Sequence, residues 1–224
     1  MRILAAFAAV FTVVPAAANA EFQFSVYGGA NTANDSEVTI SSPSLSGDFD
    51  VDWFGDSFNK PPYYGARGTY WLNDFDLPLW GVAAEFTHAK VKADLDDPAV
   101  GGAFSRLEFT NGLNSVTLNA LRRFPLSDRF TLYGGVGAGA SIPHVEVTAG
   151  GPKTFELQVT GPVVQALAGG SVNVIGGLSL FGEYKSSYSW NEAHLNGGGS
   201  LDTDILAHHF AVGASFSFGS RPSQ

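Results

Sequence analysis

The chain has 224 residues, with 12 Lys and Arg against 21 Asp and Glu, and it contains no cysteine. This acidic balance argues against a nucleic-acid partner, because binding a phosphate backbone requires clustered Lys and Arg. The lack of cysteine excludes a disulfide framework, a thiol nucleophile and any cysteine-ligated metal or iron–sulfur site.

The N-terminus has the pattern of a secretory signal peptide. Arg2 precedes an apolar run at 3–14, and Ala18-Asn19-Ala20 matches an A-x-A cleavage site. The apolar run is too short to span a membrane as a helix. We therefore predict a signal peptide over residues 1–20 and one mature domain over 21–224. An exported chain without disulfides needs another form of closure to hold its fold together.

Eight segments after the signal peptide alternate between apolar and polar residues, which is the period-two pattern of β-strands. Their approximate bounds are 22–28, 66–73, 80–86, 115–123, 130–142, 164–172, 178–190 and 205–218. The second, fourth and sixth segments are followed by short turns, at 74–78, 125–128 and 175–177. The first, third and seventh are followed by long polar loops, at about 32–63, 92–112 and 191–203.

Short turns at one end and long loops at the other are typical of outer-membrane β-barrels. We therefore predict an all-β fold: an eight-stranded antiparallel up-and-down transmembrane β-barrel, monomeric and integral to the bacterial outer membrane. Closure removes the free sheet edges, and eight strands leave an interior that side chains just fill. A soluble lipocalin-like barrel is the alternative. The aromatic Phe218, which ends the last apolar face, favours the membrane.

In three segments, charged residues occupy positions that are predicted to face the inside of the barrel. Glu183 and Lys185 share one face of the seventh segment, and Arg67 and Glu85 fall in the same class. An interior ion-pair network is the simplest interpretation. A base that touches a sugar hydroxyl would have the same pattern, so Glu183 is also a candidate catalytic residue and Lys185 a candidate substrate-binding residue.

The stretch 142–160 predicts a hairpin that extends the fifth and sixth segments beyond the membrane. Pairing Glu146 with Glu156 puts an apolar set on one face and a polar set on the other: Val145, Val147, Phe155 and Leu157 against His144, Glu146, Glu156 and Gln158. Proline and glycine at Pro143 and Gly161-Pro162 indicate bulges, which re-aim side chains. We expect these bulges to turn the polar face inward, above the outer leaflet. An exposed, solvated hairpin is the alternative.

Seven stretches in order resemble the outer-membrane lipid A oxidases: PPYYGARGTYW (61–71), FTHAKV (86–91), RLEFTNGLN (106–114), PHVEVTAGG (143–151), KTFELQVTGP (153–162), FGEYKSSYS (181–189) and GGGSLDTDI (197–205). The resemblance covers about residues 61–218. It implies O₂-dependent oxidation of the proximal glucosamine of 1-dephosphorylated lipid A to a 2-aminogluconate unit at the outer leaflet. It also implies peroxide as the coproduct and dependence on a divalent metal.

Such a reaction needs an O₂-activating group, which ordinary side chains do not supply. No dinucleotide fingerprint is present, which disfavours a flavin or nicotinamide, whereas imidazole and carboxylate suit a divalent redox metal. We predict His144, Glu146 and Glu156 as catalytic residues and metal ligands, joined as a ligand by His88 from the same rim. His88 beside Lys90 has a simpler interpretation, as a residue at the lipid headgroup boundary.

Arg106 and Lys153 are predicted to bind a phosphate of lipid A through charge-assisted hydrogen bonds. Ordinary solvated side chains are the alternative for both. Two other functions stay open. The first is a non-enzymatic barrel with an envelope-structural or adhesive role, for which the loop at about 32–63 would be the working surface. The second is an acyl-chain hydrolase, although the serines at 186–189 near His194 show no triad order.

Overall fold

The computed structural model describes residues 20–219, so residues 1–19 of the predicted signal peptide and the last five residues of the chain lie outside it. In chain order the strands are β1 (Glu21–Ala33), β2 (Ser36–Ser41), β3 (Ser46–Val51), β4 (Trp53–Phe54), β5 (Tyr64–Leu72), β6 (Leu77–Ala93), β7 (Arg106–Pro125), β8 (Phe130–Ser141), β9 (His144–Thr148), β10 (Thr154–Leu157), β11 (Gly161–Ile175), β12 (Leu178–His194) and β13 (Ser200–Gly219). A 3₁₀ turn covers Asn73–Phe75, and one short helix, α1, covers Pro98–Ala103. Within residues 20–219, no helix has the length and apolar character needed to cross a membrane.

Eight of these strands pair antiparallel in a closed ring, in the order β1–β5–β6–β7–β8–β11–β12–β13. The ring closes because β13 also pairs with β1, from Phe218 opposite Phe22 to Ala207 opposite Ala33. All eight predicted segments fall on these strands to within a residue. The predicted eight-stranded antiparallel fold is therefore confirmed.

The three long connections contain far more strand than predicted. The first holds β2, β3 and β4, the second includes the end of β6, α1 and the start of β7, and the third is a hairpin that turns at 195–199. Asp97 starts α1 as its N-cap, because its carboxylate accepts hydrogen bonds from the backbone N–H groups of Ala99 and Val100. Together with β9 and β10, these elements form an outer extension of the barrel, which we call the cap.

Below the cap, the outward side chains are apolar and exposed. Phe24, Leu118 and Val212 are 47%, 67% and 69% exposed. The inward residues of the same strands are polar, and Arg67 and Glu85 are only 4% and 2% exposed. Apolar residues outside and polar residues inside match a barrel surrounded by lipid, whereas a soluble barrel would show the reverse. This belt occupies the half of the barrel next to the three short turns, which is the periplasmic end.

Within the cap this partition is reversed, although the strands keep their phase. On β6 the inward Ala89, Val91 and Ala93 are 1% exposed or less, and the outward side chains after Phe86 include His88 and Lys92. The inward residues of the cap form one apolar core: Val38, Ile40, Val51, Trp53, Val91, Phe104, Leu107, Phe109, Val145, Val147, Leu201 and Ile205. The cap is therefore built like a water-soluble β-protein, in which apolar residues face inward.

The lumen of the belt is occupied by a buried charge network centred on Glu85. Arg67 Nη2 lies 3.0 Å from Glu85 Oε1 and 2.6 Å from Glu183 Oε1, and Lys185 Nζ lies 2.5 Å from Glu85 Oε1. The Tyr27 hydroxyl donates to the same Oε1, and the side-chain amides of Asn119 and Gln165 donate to Glu85 Oε2. The predicted interior ion-pair network is confirmed.

This network separates the cap from a polar cavity that opens toward the periplasmic end. The cavity has a volume of about 590 Å³, and its wall includes Gln23, Ser25, Thr69, Ser179 and Ser215. It narrows at Arg67, where the charge network begins. The described side chains thus fill the lumen from the network to the top of the cap, as an eight-stranded barrel is expected to do.

We expect no stepwise ion conductance when the purified protein is inserted into planar lipid bilayers. An ion would have to displace the Arg67–Glu85–Glu183 contacts and then cross the apolar core of the cap. Current recordings at increasing voltage would test this, with protein-free bilayers as the control. Regular single-channel steps at low voltage would contradict the closed lumen.

Candidate functional site

The hairpin at 142–160 forms as predicted, but its register differs by one residue. Glu146 lies opposite Phe155, and Val145 lies opposite Glu156. The predicted pairing of Glu146 with Glu156 is therefore wrong. Because opposite residues of an antiparallel pair share a face, the two carboxylates point to different sides of the sheet.

The inward turn of the polar face is also wrong, because only one arm of the hairpin changes phase. From β8 through Pro143 into β9 the even-numbered residues stay outward, so Val145 and Val147 are buried in the cap core. The other arm changes phase at Gly161, where an added Cβ would lie 2.3 Å from the carbonyl oxygen of Trp190. Val145 and Val147 are stabilised by burial in the apolar core of the cap, so His144 and Glu146, which alternate with them, remain on the outer surface.

Glu146 lies beneath two cations rather than in a metal site. Lys153 Nζ is 2.6 Å and Arg106 Nε is 3.4 Å from Glu146 Oε1. Asn111 Nδ2 donates to the other oxygen of Glu146 at 3.4 Å. The structure therefore brings together three predicted site residues, Arg106, Glu146 and Lys153, as an ion-paired cluster.

The other members of the predicted metal set lie apart from this cluster. The ring of His144 packs edge-on against Phe155 at 4.4 Å. Glu156 is exposed and accepts a hydrogen bond from Gln158. The Gln158 amide also bonds the backbone N–H and carbonyl of His194, which ties the edge strand β10 to the end of β12.

His88 lies outward on β6 and is covered by its neighbours. Its Nδ1 is 2.8 Å from Asn114 Oδ1, and its ring stacks on Tyr64 with 4.9 Å between centroids. His88 is 4% exposed, its Nε2 makes no hydrogen bond of ordinary geometry, and the backbone carbonyl of Pro61 lies close to the ring. This arrangement orients the imidazole and leaves Nε2 as the atom that could accept a proton or ligate a metal.

The four residues predicted as metal ligands do not form one donor set. Glu146 is engaged by two cations, and Glu156 lies on the opposite face from His144. Across residues 20–219, no three His, Asp or Glu side chains are grouped closely enough to hold one ion.

Glu183 and Lys185 were predicted to act on substrate, and both lie in the charge network inside the belt. Their side chains are 0% and 2% exposed. A lipid on the outside of the barrel would be separated from both groups by the barrel wall. In the lumen, Glu183 pairs with Arg67, and Lys185 pairs with Glu85.

One row of outward side chains crosses five strands of the cap at the level of Glu146. The backbone register pairs its members in order across β4, β6, β7, β9 and β10: Phe54, Lys92, Glu108, Glu146 and Phe155. Arg106 bonds Glu108 closely, which raises the pKa of the Arg106 guanidinium. We call this row, together with Arg106 and Lys153, the charged row.

The charged row presents its cations to the outside. The side chains of Arg106 and Lys153 are 47% and 48% exposed, whereas those of Glu108 and Glu146 are 5% and 7% exposed. Lys92 Nζ lies 5.7 Å from the ring of Phe54, and Lys153 Nζ lies 4.6 Å from the ring of Phe155. The surface is thus cationic and aromatic, with its carboxylates underneath.

An apolar strip connects the lipid-facing belt to the charged row. Val159, Leu157 and Phe155 point outward and are 72%, 60% and 50% exposed. They continue the exposed apolar surface of β11 upward along the outside of the hairpin. The apolar surface therefore extends on this side of the cap as far as Phe155, where the cations of the charged row begin.

Five of the seven stretches that carry the resemblance contribute outward side chains to this surface, those at 61–71, 86–91, 106–114, 143–151 and 153–162, whereas alternate residues of the same stretches, such as Arg67 and Val145, face the interior. They lie on β5, β6, β7, β9 and β10, which are neighbours in the sheet. Sequence reasoning missed the contributions of Tyr64, Lys92, Asn111 and Asn114 to this surface. Their positions follow from cross-strand register, which the sequence alone did not provide.

Comparison with known families agrees with the architecture. The family described as outer membrane protein beta-barrel domain matches residues 3–221. The chain belongs to this family. Its place is therefore the outer membrane, as an integral barrel. No curated protein matches the sequence significantly.

Solved outer-membrane barrels share this fold. OprG from Pseudomonas aeruginosa is 14% identical over 88% of this chain and 96% of its own, with a TM-score of 0.55. Neisserial surface protein A is 16% identical over 89% of this chain and 97% of its own, with a TM-score of 0.49. Ail of Yersinia pestis, solved with the heparin analogue sucrose octasulfate, is 17% identical over 89% and 99%, with a TM-score of 0.41. At these identities the likeness concerns the fold alone.

Proposed function

We propose that this outer-membrane β-barrel protein acts on lipid A in the outer leaflet, oxidising its proximal glucosamine with O₂ as the acceptor. The supporting observation is that five resembling stretches contribute outward side chains to one surface of the cap, beside an apolar strip. A membrane lipid can reach that surface by lateral diffusion, without entering the lumen.

The proposed reaction converts a hemiacetal carbon into a carboxylic acid. One hemiacetal, one O₂ and one water give one acid and one hydrogen peroxide, so two electrons pass from the sugar carbon to oxygen. The resemblance implies a divalent metal for this transfer, and the proposal assigns no ligands to it. The 1-phosphate must be absent from the substrate, because it would block the anomeric hydroxyl.

The residues of this surface would bind the sugar and accept a proton. His88 is the better prepared imidazole, because Asn114 holds its Nδ1 and Tyr64 fixes its ring plane. His144 also has a nitrogen, Nδ1, without a hydrogen-bond partner. Both free nitrogens are buried, so a bound lipid would have to displace neighbouring atoms to reach either.

The test is incubation of the purified barrel in detergent with 1-dephosphorylated lipid A, under air and under argon, with divalent redox metals added separately. We expect a product one oxygen atom heavier under air alone, together with peroxide. His88→Ala is expected to lower the rate by about 10²–10⁴-fold, the usual contribution of a general base.

The matched control is His208→Ala on β13, whose imidazole bonds Tyr184 across the barrel from His88. We expect this variant to keep the wild-type rate. Absence of an oxygen-dependent mass gain with every added metal would contradict the oxidase. Equal rates in the two histidine variants would contradict the role of His88.

A non-enzymatic role in the envelope is the second candidate function. It is favoured by the scattering of the predicted metal ligands and by the closed, packed cap. On this view the same outward surface binds lipid A without changing it. Retention of lipid A together with no turnover under all conditions above would support this candidate.

A further inference from the structure

We infer that the charged row is a binding site for a phosphate group carried by an outer-leaflet lipid, and that Glu146 competes with that phosphate for the same two cations. On this view, the Glu146 carboxylate occupies the phosphate position when no lipid is bound, and it does not ligate a metal. The inference rests on the proposed lipid A-directed function, but it does not require oxidation.

The first argument is the geometry of the two exposed cations. Arg106 and Lys153 approach the same carboxylate oxygen of Glu146, at 3.4 Å and 2.6 Å. Lys153 donates a hydrogen bond to this oxygen, whereas Arg106 also pairs closely with Glu108. A phosphate oxygen placed between the two cations would replace Glu146 at Lys153 and would lie near enough to Arg106 to pair with it. About half of each cation is exposed, so a ligand can approach from outside while Glu146 stays beneath.

The second argument is the apolar surface beside the cations. Phe155, Leu157 and Val159 run from the row down to the lipid-facing belt. A lipid with a phosphorylated sugar headgroup could place its acyl chains on this strip and its phosphate on the row. Free phosphate would gain nothing from the strip, so the surface fits a lipid better than an inorganic anion.

The third argument is the distribution of charge around the cap. Within residues 20–219, the Lys and Arg residues of the cap that are not buried are Lys60, Lys92, Arg106 and Lys153. Six outward carboxylates lie across the barrel, over β2, β3, β12 and β13: Glu37, Asp48, Asp50, Glu192, Asp202 and Asp204. The exposed cations of the cap are therefore grouped at and near the charged row, whereas this opposite side presents carboxylates with no exposed Lys or Arg among the described residues.

The aspartates of the neighbouring loop do not screen this site from the membrane. Asp94, Asp96 and Asp97 follow the end of β6, beyond Lys92 and farther from the belt. The row therefore lies between these aspartates and the lipid. A headgroup that rises from the leaflet meets the cations before it meets the loop.

The test measures lipid binding to the full mature barrel in detergent micelles, by native mass spectrometry and by titration of intrinsic fluorescence. The probes are lipid A with one phosphate monoester, lipid A with no phosphate, and inorganic phosphate alone. We expect the wild-type protein to prefer the phosphorylated lipid by about tenfold, the effect of one or two charge-assisted hydrogen bonds.

The variants separate the roles of the cations and of Glu146. Arg106→Ala/Lys153→Ala is expected to lose the preference, and Lys60→Ala, an exposed cation outside the row, is expected to keep it. Glu146→Gln is expected to bind the phosphorylated lipid about threefold to tenfold more tightly, because the competing carboxylate is removed. Resistance of each barrel to heat in gels reports whether it has folded.

Several results would overturn the inference. Equal affinity for the phosphorylated and unphosphorylated lipids would remove the phosphate site. If inorganic phosphate binds as tightly as the phosphorylated lipid, the site binds free anions and is not a lipid site. Weaker binding by a folded Glu146→Gln barrel would show that Glu146 supports the ligand. If that variant does not fold, the double cation variant decides alone. None of these readouts depends on turnover, so failure of the oxidase and failure of this site are distinguishable.

Discussion

Replacement of Arg67 by Ala is expected to lower the free energy of unfolding by about 3–5 kcal/mol, the usual cost of leaving buried charges without their partner. Arg67 is 4% exposed and bonds both Glu85 and Glu183. Without Arg67, the Glu183 carboxylate has no cationic partner. The Glu85 carboxylate keeps one cationic partner, Lys185. Urea-induced unfolding in detergent micelles, followed by tryptophan fluorescence, measures the loss.

The matched control for Arg67 is Arg122, which lies on the outer surface of β7. Its guanidinium lies over the rings of Trp80 and Phe124, at 5.1 Å and 5.0 Å. We expect Arg122→Ala to cost at most about 1 kcal/mol, as for an exposed cation–π contact. Adding Glu183→Gln to Arg67→Ala should recover part of the loss, because it removes one of the stranded charges. Equal stability of the two alanine variants would mean that the network does not hold the barrel.

Replacement of Val145 by Asp is expected to destabilise the barrel by about 3–5 kcal/mol, because it places an unpaired carboxylate in the apolar core of the cap. Val145 is 0% exposed and belongs to the core with Val147 and Leu201. The same unfolding measurement applies. Protease sensitivity of the cap would give a second readout that is confined to this part of the molecule.

The adjacent residue is the matched control for Val145. His144 points outward and contacts Phe155, so we expect His144→Asp to cost about 0.5 kcal/mol, in the range of surface substitutions. The two variants carry the same new side chain on neighbouring residues of one strand. A tolerated Val145→Asp beside a damaging His144→Asp would restore the originally predicted orientation, with the polar face inward.

The transmembrane half of the fold was predictable because one rule governs all of it. In lipid, apolar residues face outward along every strand, and Leu118, Val136 and Val212 follow this pattern. The inward polar class then follows without further information, which is why the grouping of Arg67 and Glu85 was predicted correctly. Strand number, closure and the interior ion pairs all depend on that rule.

The cap was not predictable in the same way, because above the membrane the rule changes sign. His144 and Glu146 were assigned to the interior by extending the lipid rule past Pro143, whereas water takes the place of lipid there. A strand in water has charged residues on its outer face, and such a segment resembles a polar loop in the sequence. Strands β2 and β3 were missed for this reason. The alternation of apolar and polar residues is present in the sequence, but the sequence does not show at which residue of each strand lipid gives way to water.

The site was predicted in part for the same reason. Arg106, Glu146 and Lys153 are adjacent, which agrees with their placement on one rim, but their partnership is ionic rather than metal-binding. His88 lies on the same outer surface, held by Asn114. The polarity of a strand end, taken alone, could not distinguish a carboxylate that binds a metal from one that neutralises two cations.

The reversal of polarity along each strand also fixes how deep the barrel sits in the bilayer. On β6, Phe86 and His88 are successive outward residues, so the hydrocarbon boundary is defined to within about 7 Å of strand length. Sinking the protein by one such step would bring His88 toward hydrocarbon, and raising it would expose the aromatic ring of Phe86 to water. A thinner or thicker bilayer must therefore deform around the barrel, at an energetic cost that grows with the mismatch.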